Sequence, residues 1–354
     1  MSNVVSLRRE RAQRISHAST GLLDLFAHRR RGRNDAFWMK ENAEILQILA
    51  ATGKSVGAEA LDTYVPFALG LAEELRFFPQ YYRMLLSMAL DLDALGLPDL
   101  RVEHLAEAVR AMRLIDGELN DMLRAEALLL LRRAGDDTAV DPLLEERLHR
   151  FSRNAAYFCL PNRRAAYDLT HIVFHASDYG RKSMISDPAL RKSLIHVGMV
   201  AWLEDNPDLL AEVVISLRLI NEEVPALWDK AVSFGASWVE FDAGADDSPL
   251  DDGYHQYLVL NWAEAAAGRE SFQHAVPAYA RLVLQPRRDP AALTELSLLL
   301  IDSGRQRLPD WPKMKWRIWP QLSAEVRARI SAIEVMPEFE EFFEGFSRCT
   351  WGQK

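Results

Sequence analysis

Apolar residues recur along most of the chain at the spacing of one helix face, roughly every three or four positions. From this period we predict sixteen helices joined by short connections. They span residues 5–28, 35–51, 58–76, 79–95, 102–115, 118–134, 139–152, 163–178, 187–204, 207–221, 224–241, 251–267, 271–285, 289–303, 321–334 and 337–347. No alternating apolar and polar segment of strand length stands out, so the sequence predicts an all-α fold.

The ends of these helices are indicated by proline and glycine. Asp187-Pro188 and Asn206-Pro207 have the form of an N-cap followed by a proline in the first turn. Short connections favour consecutive antiparallel helical hairpins, arranged as an α/α toroid or, since no fixed repeat period is found, as an irregular α-solenoid. We predict a basic N-terminal arm over residues 1–34 and a single all-α domain over residues 35–354.

Two segments interrupt the helical pattern. Residues 241–253 contain five aspartates, and residues 305–320 combine prolines and tryptophans with lysines and arginines. Both are predicted to be loops, because proline and clustered charge disfavour a continued helix. A long loop in a compact helical protein is often a functional element or a lid.

The charge of the chain is unevenly distributed. Residues 1–33 contain eight arginines against Glu10 and Asp24, whereas the whole chain has a net charge of −9, so the remainder carries −15. Such an arm can dock on its own acidic body, contact the acidic surface of a partner, or bind nucleic acid. An organelle transit peptide is a further alternative. The apolar spacing of Leu22, Leu23 and Phe26 favours a helix packed on the body.

Composition narrows the class of protein. Hydrophobic residues make up 49% and charged residues 26% of the chain, as in globular proteins with a substantial core. No apolar run reaches the roughly 20 residues of a membrane span, and no secretory leader is recognised at the N-terminus. Two cysteines provide no disulfide framework. We therefore expect a cytoplasmic protein without a membrane span.

The most informative polar pattern lies between residues 167 and 180. His171, His175 and Asp178 are spaced i, i+4 and i+7, which places them on one face of a helix together with Tyr167. Such a line can hold a metal ion or transfer protons, but it can also be a structural polar seam between helices. The zinc-peptidase motif needs glutamate where this chain has Ile172, which disfavours that chemistry.

A second polar pattern includes Asp252 and His255, at the start of the helix predicted for residues 251–267. His255 lies on the apolar stripe of this helix, so we expect it to face the core. His171, Asp178 and His255 together would provide three ligands for a divalent metal such as zinc, with an open position for water. Without metal the same groups could serve as general acid and base, with His175 and Asp252 as supporting or alternative residues.

These two segments resemble a known family. The stretch from Thr170 to Gly180 is similar to a Thr-His-x-x-Phe-x-x-(Ser/Thr)-Asp-(Phe/Tyr)-Gly segment of uncharacterised bacterial all-helical proteins, and residues 252–255 resemble a second block of the same proteins. The family is a domain of unknown function, so the resemblance implies an all-helical fold but no activity. His171, Asp178 and His255 fit the two blocks, whereas His175 falls at a variable position.

The sequence leaves two classes of function open. The first is a helical scaffold or binding protein whose concave groove or funnel takes a protein partner. The second is a metal-dependent or His/Asp acid-base enzyme that acts on a small or peptidic substrate in a helical funnel. His171, Asp178 and His255 would then carry the chemistry.

Overall fold

A computed structural model describes residues 20–53, 56–242, 253–274, 276, 281–283 and 292–349. The predicted all-α fold is confirmed, with sixteen α-helices in these ranges in addition to the helical residues 20–24. By its contacts the chain divides into two compact units: unit 1 comprises residues 1–144 and 238–284, and unit 2 comprises residues 145–237 and 285–354. The single domain predicted for residues 35–354 and its toroid or solenoid arrangement stay predictions.

Unit 1 is organised around two long helices that pack on each other. Its helices are α1 (Ala36–Ala51), α2 (Ala58–Leu61), α3 (Val65–Phe77), α4 (Tyr82–Leu95), α5 (Val102–Ala111), α6 (Asp121–Arg133) and α12 (Gly253–Ala266). Helix α1 packs against α4 and α12, and α4 also contacts α3, α5 and α6. Asp35 starts α1 by accepting a hydrogen bond from the backbone N–H of Phe37.

The part of the basic arm that is described packs onto unit 1, as predicted. Residues 20–24 are α-helical and continue into a π-helical turn, Leu25–Arg29. Leu22, Leu23 and Phe26 are buried. The guanidinium of Arg30 pairs with the buried carboxylate of Glu41 at 2.6 Å, so positive charge of the arm is neutralised by an acidic residue of the body. Residues 1–19 lie outside the described part of the chain.

One small element of unit 1 differs from the prediction. Strands β1 (Glu240–Asp242) and β2 (Arg281–Val283) pair antiparallel, with Phe241 opposite Leu282. The helix predicted for residues 224–241 ends at Ser237, and the helix predicted for residues 271–285 is not formed at Arg281–Val283. Three residues are too few for an alternating pattern to appear, which explains why the sequence did not reveal this pair.

Unit 2 has two almost wholly buried helices at its centre. Its helices are α7 (Pro142–Ser152, from Glu145 onward), α8 (Arg163–Ala176), α9 (Pro188–Leu203), α10 (Pro207–Leu219), α11 (Ala226–Ser237), α13 (Ala292–Asp302), α14 (Trp311–Ile318), α15 (Ala324–Ile333) and α16 (Phe339–Phe346). Helices α9 and α10 pack on each other, α10 also contacts α8 and α11, and α9 contacts α13 and α15. Asp187 and Asn206 cap α9 and α10 ahead of Pro188 and Pro207, as predicted.

The loop predicted for residues 305–320 is in part a helix. Asp310 caps α14, with Pro312 in its first turn, where a missing N–H breaks no helical hydrogen bond. Trp311 is buried against Phe339 and Phe343, at ring-centroid distances of 5.3 and 4.8 Å. The proline that suggested a loop therefore marks the start of a helix, and its tryptophan fixes that helix to unit 2.

In the part of the chain that the structure describes, no helix has the length and apolarity needed to cross a membrane.

Candidate functional site

A polar cluster joins two neighbouring helices of unit 2, α8 and α10. Asn162 starts α8 by accepting a hydrogen bond from the N–H of Ala165, and Asn206 starts α10 in the same manner through Leu209. The apolar residues that surround Glu212 on α10 are almost completely buried. Because this burial fixes the rotation of α10, it also determines the direction in which the polar positions of α10 project.

Two hydroxyl groups of α8 donate hydrogen bonds to two carboxylates of α10. The Tyr167 hydroxyl lies 2.6 Å from Asp208 Oδ2, and the Thr170 hydroxyl lies 2.5 Å from Glu212 Oε2. Asp208 and Glu212 are only 9% and 1% exposed. Hydrogen bonds to ionised acceptors are among the strongest in proteins, and burial strengthens them further. The cluster therefore aligns the two helices as well as holding two carboxylates in place.

His171 is the accessible member of this cluster. Its Nε2 lies 3.9 Å from Glu212 Oε1, and the His171 side chain is 47% exposed, whereas that of Glu212 is 1% exposed. Asp208 and Glu212 each offer a carboxylate oxygen within 4.8 Å of the other. The buried carboxylate of Glu212 therefore lies close both to a second carboxylate and to an imidazole that reaches solvent.

The electrostatic environment keeps the tyrosine protonated. Burial, followed by the nearby carboxylate of Asp208 and its hydrogen bond, raises the pKa of Tyr167 well above its usual range. Tyr167 is consequently a hydrogen-bond donor over the whole physiological range of pH. On the same helix, burial raises the pKa of Asp168, and the positive charge of Arg164 opposes that shift.

His175 lies on the same helix but deeper in the unit. It is 9% exposed and belongs to the last turn of α8. Its ring centroid is 6.1 Å from that of His171 and 6.0 Å from that of Tyr179. The predicted i, i+4 pair of histidines is therefore formed as adjacent rings, of which only His171 is well exposed.

Asp178 does not continue the face of α8 as the sequence predicts. The helix ends at Ala176, and Asp178 has a φ of 48°, in the left-handed region. One of its carboxylate oxygens lies 3.4 Å from the guanidinium of Arg181. Since the i, i+7 argument requires helix up to residue 178, helical spacing gives no reason to group Asp178 with His171.

The remaining predicted residues belong to unit 1 or are not described. His255 is on α12 of unit 1, where its ring is 6.5 Å from that of Tyr254. Its convergence with His171 stays a prediction. Asp252, and with it the aspartates at 246, 247 and 251, lies outside the described residues.

Sequence reasoning missed the two carboxylates of α10. A signal was present, because Glu212 is the only charged residue between Leu209 and Leu217. A lone carboxylate in an apolar helix needs a partner, since burying an unpaired charge is costly. Asp208 lies one turn before it, on the same face.

A second pair of groups in unit 2, a cysteine and a histidine, is buried. Cys159 Sγ lies 3.2 Å from His196 Nδ1, but both side chains are almost completely buried. Burial, and to a smaller degree the charges of Glu341 and Glu344, raises the pKa of the Cys159 thiol to about 12. Burial also lowers the pKa of His196. Both groups are neutral at physiological pH, so the thiolate required of a nucleophile is not formed.

Comparison with known proteins gives a family without an activity. No curated protein and no solved structure matches this chain. A family model matches residues 1–349, which is nearly the whole sequence. The chain therefore belongs to the family described as Domain of unknown function (DUF6902).

Proposed function

We propose that this protein is a helical binding protein and that unit 2 binds one divalent metal ion through Asp208, Glu212 and His171. The observation that carries the proposal is the position of the buried Glu212 carboxylate, which lies near the carboxylate of Asp208 and 3.9 Å from the half-exposed imidazole of His171. The hydroxyls of Tyr167 and Thr170 are neutral donors, so they orient the carboxylates without cancelling their negative charge.

The donor set agrees with zinc, which the sequence analysis gives as an example of a divalent metal for a site of this kind. Imidazole nitrogen and carboxylate oxygen are common zinc ligands. Ligand atoms around one tetrahedral ion at ~2 Å are roughly 3.3 Å apart. The distance of 3.9 Å between His171 Nε2 and Glu212 Oε1 exceeds that value by about 0.6 Å. Asp178, proposed on the basis of the sequence, is replaced in this ligand set by the carboxylates of α10.

The second candidate is an acid-base enzyme that uses His171 without metal. The observation favouring it is the contrast in exposure between His171, at 47%, and Glu212, at 1%. A buried carboxylate beside an accessible imidazole can orient the ring and stabilise its protonated form. In this case the imidazole would exchange protons with a small or peptidic substrate, and the protonated Tyr167 would remain a positioning group.

Metal analysis separates the two candidates. We expect one equivalent of metal in the protein purified without chelator, and one site in calorimetric titration of zinc into chelator-treated protein. Glu212→Gln and Asp208→Asn should each remove the site, and His171→Ala should weaken it by roughly tenfold to a hundredfold, as expected for a lost metal ligand or its support. Glu223→Gln is the matched control, because Glu223 is an exposed carboxylate of the same unit.

Absence of a stoichiometric metal site would contradict the proposal. If the wild type carries less than one equivalent and zinc titration gives no stoichiometric site, the metal proposal fails. The acid-base candidate would then depend on an activity that His171→Ala removes and chelator treatment leaves unchanged.

A further inference from the structure

Unit 1 contains a cleft that is separate from the polar cluster of unit 2. It lies between α3 and α5, with Ala89 of α4 contributing to its lining, and its volume is about 430 Å³. Sites for small molecules in proteins have volumes of roughly 300–1,000 Å³ and are mainly apolar with a few polar groups. The volume of this cleft therefore lies within the range of small-molecule sites.

The sequence explains why this cleft exists. Ala68 and Ala72 on α3 and Ala108 on α5 line it, so side chains no longer than a methyl group stand on both of its walls. Leu75 and Leu105 are buried in the same walls and make their surface apolar. The walls formed by the two helices therefore present an apolar surface against which an elongated apolar ligand can pack.

Charged groups line the same cleft. Arg76, at the end of α3, and Arg101, just before α5, line it together with one carboxylate, that of Asp99, and the imidazole of His104. Within the described ranges, neither Arg76 nor Arg101 forms an ion pair, and the Arg76 guanidinium donates a hydrogen bond to the backbone carbonyl of Ala72. The two guanidinium groups thus leave a net positive charge beside an apolar surface.

We propose that this cleft binds a linear amphiphile with an anionic head group, such as a medium-chain carboxylate. The apolar chain would lie against the alanines and leucines, and the head group would accept charge-assisted hydrogen bonds from Arg76 and Arg101. At roughly 30 Å³ for each group the size of a water molecule, the volume of 430 Å³ accommodates about a dozen carbon atoms. The same chemistry is available from a dissolved amphiphile or from an anionic membrane surface.

The first test measures shape. Dodecanoate, titrated below its micellar concentration into the full-length protein, should bind at one site. Ala108→Phe should lower its affinity at least tenfold, because the new ring occupies the cleft. Ala111→Phe, on the same helix but outside the cleft, is the matched control and should bind as the wild type does. Ala72→Leu provides a second filled cleft if Ala108→Phe fails to fold.

The second test measures charge. Arg101→Ala should weaken dodecanoate binding about tenfold, as expected for the loss of one charge-assisted hydrogen bond. Arg110→Ala removes the same charge from α5 outside the cleft, where Arg110 pairs with Asp136, and should leave the affinity unchanged. Dodecyltrimethylammonium, which has a similar chain and a cationic head, should bind at least tenfold more weakly than dodecanoate.

A third arm distinguishes the two sources of the ligand. The protein is sedimented with phosphatidylglycerol vesicles in parallel with the titration. If the protein binds dodecanoate but not vesicles, the ligand is a dissolved amphiphile. If it binds both, and Ala108→Phe abolishes both, the ligand is a lipid presented by a membrane. Either result supports the proposal. Absence of dodecanoate binding, or binding that Ala108→Phe and Ala72→Leu leave unchanged, overturns it.

Discussion

The hydroxyl of Thr170 on α8 donates a hydrogen bond of 2.5 Å to the carboxylate of Glu212 on α10, and both side chains are almost completely inaccessible to solvent. Like the bond from Tyr167 to Asp208, it joins these two helices through polar side chains. It is specific in direction, whereas apolar packing tolerates small rotations of a helix. The position of Glu212 relative to His171 therefore depends on Thr170.

Thr170→Val tests this dependence. We expect the free energy of unfolding to fall by about 1–3 kcal/mol, because valine has a similar shape but leaves a buried carboxylate without this donor. Thr170→Ser, which retains the hydroxyl, should lose less. Urea denaturation followed by circular dichroism measures both variants. Equal stability of Thr170→Val and the wild type would show that the bond contributes nothing to the fold.

His175→Ala should lower stability while the metal content remains that of the wild type. His175 is 9% exposed and packs between the rings of His171 and Tyr179, so we expect a loss of about 1–3 kcal/mol for a buried hydrogen-bonding group. Thermal melting and elemental analysis of the same sample give both quantities. Loss of metal from His175→Ala would make His175 a ligand. The same measurement on His255→Ala tests the prediction made for that residue from the sequence.

Alkaline pH should destabilise the protein through its buried tyrosines. Burial raises the pKa of Tyr64, Tyr167 and Tyr257 above their usual value of 10.0. The unfolded chain therefore loses these protons first as the pH rises through about 10, and each tyrosine lowers the free energy of unfolding by about 1.4 kcal/mol per pH unit beyond that point. Their contribution is complete below pH 10. Denaturation at several pH values measures the slope.

Tyr257→Phe should remove the contribution of one proton to the fall in the free energy of unfolding at alkaline pH. It should also stabilise the protein at neutral pH. Within the described part of the chain, the buried hydroxyl of Tyr257 has no hydrogen-bond partner. Its removal should raise the free energy of unfolding by about 1–3 kcal/mol, the usual desolvation cost of such a group. A loss of stability in Tyr257→Phe would contradict this.

Two glycines should respond oppositely to substitution by alanine. A Cβ at Gly198, within α9, would lie 2.4 Å from the ring of Trp228, so Gly198→Ala should cost about 1–3 kcal/mol or more through overpacking. A Cβ at Gly70, within α3, would approach only the flexible carboxylate of Glu74, at 3.8 Å. Gly70→Ala should therefore stabilise the protein by about 0.5–1 kcal/mol, the usual difference between the two residues in a helix. Chemical denaturation of the two variants compares them directly.

Helix positions followed from the sequence because caps and apolar period are local signals. Asn206 with Pro207 predicted the start of α10 correctly. Two helix boundaries were predicted wrongly. Pro312 suggested a loop but lies in the first turn of α14. The end of α8 was placed two residues late, at Asp178 rather than Ala176. Whether a residue at a helix end adopts the left-handed conformation depends on the turn that follows it. The apolar period of the helix carries no information about that turn.

Only the α8 residues of the candidate site were predicted from the sequence. His171 and Tyr167 were identified because polar residues recur on one face of α8. Their carboxylate partners on α10 were missed, since no spacing rule connects residues 41 or 42 positions apart in the chain. The pairing of α8 with α10 is tertiary information. It could have been approached only by asking which partner the lone carboxylate of Glu212 requires.

The packing of α1 against α12 has a consequence for the order in which this protein is made. The two helices contact each other directly, and Phe26 in the turn before α1 meets Tyr254 of α12 at a ring-centroid distance of 5.9 Å, although 228 positions separate the two residues in the chain. Unit 1 takes its residues from both sides of the segment 145–237. During synthesis, the face of α1 that α12 covers therefore stays uncovered until the ribosome has released the chain through Ala266. A nascent chain that stalls before this point presents that apolar face to chaperones.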